Sequence, residues 1–279
     1  MIRRLSSVLL AALVLMAVNV GLAQEAPRLR ILVVNDDGYQ APGLVALVDS
    51  LVPIAEVIVV APLEQQSGTG HGITYREPIK VLEFGNRYAL PWYAIDAKPA
   101  TCVRLALTVL MDSLPPDLVV SGINTGDNVG ASTWISGTVA AAREGALNGI
   151  PAIAVSVGVG SHQDYEIAAG YARQLVERLR ALGKIAPPLL LNVNVPAGGP
   201  AGIRVAPMSL DLGKQAYDRR YTPRGQLYFW DAWSPPEGEA VEGSDLYWFS
   251  RGYVTVTPLR IDQTDTAELL ILEQGLNRK

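Results

Sequence analysis

Two neighbouring carboxylates, Asp36 and Asp37, stand directly behind an apolar run in Ile31-Leu32-Val33-Val34-Asn35-Asp36-Asp37-Gly38. Adjacent acids repel, and both stay ionised at one point most readily when a cation sits between them. In a continuing strand their side chains would point to opposite faces. At a strand end the chain turns, Gly38 permits the turn, and the two carboxylates can converge. The plain alternative is an Asp-Gly turn with two solvated acids. This stretch alone leaves both readings open.

Other polar segments carry oxygen donors in comparable places. Gln66-Ser67-Gly68-Thr69-Gly70 trails the apolar run Glu56–Ala61, and "SGINTGDN" supplies Ser121, Asn124 and Asn128 behind Leu118–Ser121. Ser136, Gly137 and Thr138 open a helical stretch, where free N–H groups and the helix dipole favour a phosphate. Hard oxygen donors suit Mg²⁺ or Mn²⁺ rather than zinc or copper. Cys102 is the only cysteine, and His71 and His162 are the only histidines. Thiolate metal sites, three-imidazole zinc sites and an intramolecular disulfide are therefore excluded.

The elements that must position these residues alternate in period. Apolar strand runs at Leu29–Asn35, Glu56–Ala61, Trp92–Ala97, Leu118–Ser121, Ala152–Val157 and Leu189–Val195 are separated by amphipathic segments. These segments, at Leu44–Val52, Thr101–Met111, Gly137–Leu147 and Tyr165–Leu182, read as helices. Ile73–Phe84 reads as a short β excursion. Continuous Val/Ile/Leu strands with helices between them predict an α/β fold with a Rossmann-like, doubly wound, mostly parallel sheet. Ligands of such sheets sit at the carboxyl ends of the strands. Residues 197–250, rich in Gly, Pro, Tyr and Trp, predict C-terminal β-hairpin arms. Arg251–Leu259 then alternates as a strand, and Asp265–Gly275 closes the chain as a helix.

The 279 residues, 49% of them hydrophobic, suffice for one sizeable core. A formal charge of −4 provides no basic field for nucleic acid or anionic lipid. Residues 1–23 read as a signal peptide: Arg3 and Arg4 precede an apolar run that ends in Gly21 and Ala23, small residues suited to leader cleavage. An uncleaved anchor is the alternative. Cleavage predicts an exported, periplasmic protein without stable membrane association, with residues 24–279 as a single domain.

"ILVVNDDGYQAPGL", "SGINTGDNVG", "SGTVAAAREGALNGIPAIAVS" and "GYVTVTPL" together resemble the SurE family of survival-protein 5′/3′-nucleotidases, from about Ile31 to Thr264. The resemblance implies metal-dependent hydrolysis of nucleoside monophosphates, with Asp36, Asp37, Ser67 and Asn124 on the family's metal-ligand positions. It also implies a homodimer or homotetramer that exchanges its hairpin arms and C-terminal segment, and cytoplasmic residence as the alternative to export. The chain departs from the family at Ala97-Lys98-Pro99-Ala100-Thr101-Cys102, where Gly-Thr-Pro-Ala-Asp-Cys is usual, and at Ser132 and Ile135, where Asp and Tyr are usual.

The expected reaction is phosphomonoester hydrolysis, extending to short polyphosphates. One Mg²⁺ or Mn²⁺ on Asp36, Asp37, Ser67 and Asn124 binds a phosphate oxygen and a water. Asn128, Ser136, Gly137 and Thr138 orient the phosphate. Asp36 or Asp37 takes the water's proton. His71 reads either as a catalytic acid or as a loop residue without chemical role. Cys102 reads as a small core residue, and Arg219, Arg220 and Arg224, interleaved with Tyr217 and Tyr221, as an oligomer-facing arm. The competing functional class is an exported α/β solute-binding protein, which needs a second, similar lobe and no clustered carboxylates.

Overall fold

A computed structural model describes residues 27–85, 88–158 and 161–276. The expected leader lies outside the described residues. Strand β1 (Leu29–Val34) is the pivot of the sheet. Its alternate side chains go to opposite faces, as a doubly covered strand requires. Ile31 and Val33 pack with Leu44, Leu47 and Leu51 of helix α1 (Pro42–Leu51) and Ala168, Ala172 and Val176 of helix α4 (His162–Ala181). Leu32 and Val34 pack with Cys102 and Val103 of helix α2 (Pro99–Leu105) and Val139 and Ala142 of helix α3 (Gly137–Leu147).

From β1 the chain first winds outward through β2 (Ala55–Pro62), β3 (Val81–Glu83) and β4 (Trp92–Ile95). It returns through β5 (Leu118–Thr125), then adds β6 (Ala152–Val157) and β7 (Leu190–Val195) on the other side. The nine-stranded sheet runs β3-β4-β2-β1-β5-β6-β7-β11-β8, with β8 at Ile203–Val205 and β11 at Val254–Pro258. Strand order therefore reverses at β1, and the crevice between the carboxyl ends of β1 and β5 is where such folds admit a ligand.

The mostly parallel α/β expectation holds, with two antiparallel pairs at the margins: β3 against β4 and β11 against β7. Several boundaries differ. The single helix expected over Thr101–Met111 starts earlier, at Pro99, because a proline suits a first helical position. It then gives way to a π turn at Ala106–Leu110. β5 runs four residues past the expected Leu118–Ser121. Within residues 197–250, β8 joins the main sheet, while β9 (Tyr217–Tyr221) and β10 (Leu227–Asp231) form a separate exposed hairpin. The short helix α5 (Asp245–Phe249) follows, and α6 (Thr266–Leu276) ends the described chain. No described helix is long and apolar enough to cross a membrane.

Candidate active site

Asp36 and Asp37 occupy the turn that leaves β1. Asn35, buried beneath them, donates from Nδ2 to the Gly38 carbonyl at 2.8 Å and so braces this turn. Asp36 is only 2% exposed. Its Oδ1 accepts a short hydrogen bond from the Thr138 hydroxyl, and its carboxylate also meets the backbone N–H groups of Gly137 and Thr138. The positive end of α3 therefore faces the carboxylate. Burial nevertheless pushes the Asp36 pKa upward, partly offset by these donors. Burial, and then the charge of Asp36, raise that of Asp37 to about 6.

The remaining predicted metal ligands arrive within one residue of these acids. The Gln66 N–H donates to the Asp36 carbonyl at 2.7 Å, which places the exposed Ser67 beside the turn. The Thr125 N–H donates to Asp37 Oδ2 at 3.2 Å, which brings in its neighbour Asn124. Asn124 gives both hydrogens of Nδ2 to the carbonyls of Thr125 and Gly126, at 3.2 and 2.6 Å, leaving Oδ1 as its unengaged donor oxygen. A bulge aims it there. Ser121 pairs with Ala154 and Asn124 with Ser156, so β5 carries one residue more than β6 over that interval. Gly122 sits in the bulge at φ +146°, and a Cβ there would fall 2.4 Å from the Val155 carbonyl oxygen.

The predicted phosphate residues separate. Ser136 caps α3, its Oγ accepting from Val139 N at 3.1 Å, and Gly137 lies flat against Asp36. Thr138 is fully buried with its hydroxyl on Asp36, because a buried carboxylate demands a donor. Asn128 is built into the sheet instead: its N–H donates to Asn194 Oδ1 at 2.7 Å and its Nδ2 to Ser156 Oγ at 2.8 Å. Sequence reasoning missed Glu144, a carboxylate inside α3 and 1% exposed, which pairs with His71 and Arg104. A charged residue amid the small residues of "AAAREGAL" was the available signal. The Cys102 thiol is buried and its pKa pushed up, as an inert core residue requires.

The donor set fits a divalent cation. The buried Asp36 and the half-buried Asp37 have no cationic side chain paired with them among the described residues. A hydroxyl and an amide oxygen complete an all-oxygen set. No group of three or more His, Cys, Asp or Glu stands together among the described residues, so a soft-ligand site is absent there. Among the described residues the nine-stranded sheet and one two-stranded hairpin are the sheets present, with no second, similar lobe to form the hinged cleft of a solute-binding protein.

A family model described as survival protein SurE matches residues 31–217. The 5′-nucleotidase SurE of Pelotomaculum thermopropionicum is 42% identical over 241 residues, covering 85% of this chain and 91% of that protein. The 5′-nucleotidase SurE 1 of Thermus thermophilus is 44% identical over 244 residues, covering 85% and 93%. The crystal structure of the SurE protein from Aquifex aeolicus superposes with a TM-score of 0.76 at 35% identity, covering 88% of this chain and 99% of that one.

Proposed function

Since the chain belongs to the SurE family, we propose that it is a metal-dependent phosphomonoesterase that converts nucleoside 5′- or 3′-monophosphates to nucleoside and phosphate. The observation that carries this reading is the seat of α3 on Asp36, whose carboxylate meets the Gly137 and Thr138 N–H groups, with the half-buried Asp37 beside it at the same strand end. A phosphate needs positive partners there, and a divalent cation on the acids would supply them. Asp36, Asp37, Ser67 and Asn124 would hold the cation, Mg²⁺ or Mn²⁺. When bound, it polarises the phosphate and lowers the pKa of a bound water.

The chain's own residues have distinct tasks. Thr138 keeps the Asp36 carboxylate in one orientation. Ser136 caps α3 by accepting from the Val139 N–H and so fixes the first turn that meets Asp36. Asp37, the more exposed of the two acids, would take the proton of the attacking water and pass it on to solvent. Asn128 fixes the loop behind Asn124 through its sheet contacts. The test is phosphate release from nucleoside 5′- and 3′-monophosphates and tripolyphosphate with Mg²⁺, Mn²⁺ or EDTA. The reading requires release that EDTA abolishes and one of the two metals restores. EDTA-insensitive release, or none, rejects it.

We also propose a homodimer or homotetramer. Helix α6 has no buried residue although it carries Leu269, Leu270, Ile271, Leu272 and Leu276, and the β9–β10 hairpin exposes Phe229 and Trp230. An apolar cleft of about 650 Å³ opens between α4 and the β7–β11–β8 margin. Apolar surface on this scale marks interaction sites. Light scattering of the purified protein decides the subunit count. Export after cleavage at Ala23 is proposed on the leader alone, and N-terminal sequencing of periplasmic protein tests it.

A further inference from the structure

Glu144 projects from the middle of α3, seven residues beyond Gly137, and accepts three hydrogen bonds. Arg104 Nε donates at 2.9 Å, Asn148 Nδ2 at 3.1 Å and His71 Nε2 at 2.8 Å. Burial alone would raise its pKa, yet these donors and the Arg104 charge hold it down at about 2. An ionised carboxylate only accepts hydrogen bonds. Nε2 of His71 must therefore carry a hydrogen, which leaves Nδ1 as the position where the ring exchanges a proton. Nδ1 makes no hydrogen bond among the described residues, and the imidazole is 26% exposed.

The ring sits on the loop that spans the candidate site. That loop is pinned at one end by Gln66 N–H on the Asp36 carbonyl, and at the other by Gly70 N–H on the Ile135 carbonyl at 2.9 Å. His71 is the next residue, and Ile135 directly precedes the Ser136-Gly137-Thr138 helix start. The other charged groups around it are Arg104 of α2, which shares Glu144, and Lys98. The Lys98 Nζ would lie 2.9 Å from a Cβ at Gly72. An imidazole held by a buried carboxylate, on the loop that also carries Ser67, has the arrangement of an oriented acid–base pair.

We propose that His71 is the general acid that protonates the departing nucleoside, with Glu144 as its positioning residue. The proposal rests on the phosphomonoesterase reading above. Water oxygen forms the new bond to phosphorus while the ester P–O bond breaks. The electron pair of that bond passes to the ester oxygen, which takes the proton from Nδ1. The proton released by the attacking water passes to solvent, and the neutral imidazole regains one from solvent. The step needs such help because an alkoxide is the conjugate base of an acid about as weak as water, with a pKa of about 15.7. General acids of this kind contribute roughly 10²–10⁴-fold.

The experiment compares a nucleoside monophosphate with its analogue that has sulfur as the bridging ester atom. A thiolate, whose acid has a pKa of about 8.5, leaves without protonation. His71→Gln is expected to lose about 10²-fold in kcat/KM on the oxygen ester and less than about threefold on the sulfur ester. Glu144→Gln should show the same asymmetry at about tenfold, since Arg104 and Asn148 still crowd the site. Equal losses of His71→Gln on both esters, or no loss on either, overturn the proposal. Wild-type protein that releases phosphate from neither ester with metal defeats the parent reading instead. Imidazole ¹⁵N spectra of the metal-free wild type supply a readout independent of turnover, and with only two histidines the signals are separable. A hydrogen on Nε2 in both the acid and the base form of His71 is expected; a base form whose single hydrogen sits on Nδ1 overturns the pairing.

Discussion

Gly137 lies so close to Asp36 that a methyl group at this position would fall 2.8 Å from both the Cβ and the Oδ2 of the carboxylate-bearing side chain. The start of α3 and the end of β1 are therefore one unit, and moving either moves the other. Gly137→Ala tests this. Alanine favours helix by up to about 1 kcal/mol, but overpacking costs typically 1–3 kcal/mol. The expected result is a lower melting temperature and at least about a tenfold loss of kcat. A variant that gains stability and keeps full activity would mean that Asp36 shifts freely.

Asp36→Asn and Asp37→Asn should each lower phosphatase activity by about 10³-fold or more, because each removes a charge from the cation's surroundings. Both variants should stay folded, since each relieves repulsion between the two neighbouring acids. Near-normal turnover in both would remove the acids from the site.

The raised pKa of Asp37 sets a pH dependence for the metal-free protein. Its folded-state value, about 6, exceeds the usual carboxylate range, so the folded state keeps this proton longer than the unfolded chain does. The stabilisation is complete below the unfolded pKa and is lost as pH rises through about 6. Melting temperature without metal should thus fall between about pH 4 and 6, by the equivalent of about 2 kcal/mol. A saturating divalent cation should reverse the fall, and Asp37→Asn should flatten it. A metal-free melting temperature that climbs over this window contradicts the burial argument.

Ser67→Ala should raise the Mn²⁺ concentration needed for half-maximal activity several-fold, less than either Asp change, because a neutral hydroxyl contributes less than a carboxylate. Metal titration curves that overlay the parent's would reduce Ser67 to a turn residue.

Lys98, where the sequence departs from its family resemblance, lays its side chain across Gly72 on the loop that carries Ser67. It is half-buried and has no ion-pair partner among the described residues, which suits a second anionic group on a substrate. Lys98→Thr should shift the ratio of kcat/KM values from tripolyphosphate toward a monophosphate by about fivefold, or about 1 kcal/mol. An unchanged ratio at low ionic strength, where screening is weakest, leaves Lys98 as a packing residue.

The sequence by itself determined the layered α/β architecture, because the core strands and the helices between them announce themselves through local periodicity, and burial on both faces leaves few alternatives to a parallel sheet. It also pointed to one sheet edge as the candidate site, since Asp36 and Asp37 follow an apolar strand and the carboxyl ends of parallel strands share one edge. Tertiary structure decided what each polar group does there. Thr138 and Asn128 read alike as phosphate contacts, yet a buried carboxylate claimed the Thr138 hydroxyl and the β6–β7 asparagine and serine side chains claimed Asn128. The pairing of His71 with Glu144, 73 residues apart, left no local trace. Such pairings answer to desolvation: a charge taken out of water must find a partner wherever the fold brings one, and no short-range pattern encodes that encounter.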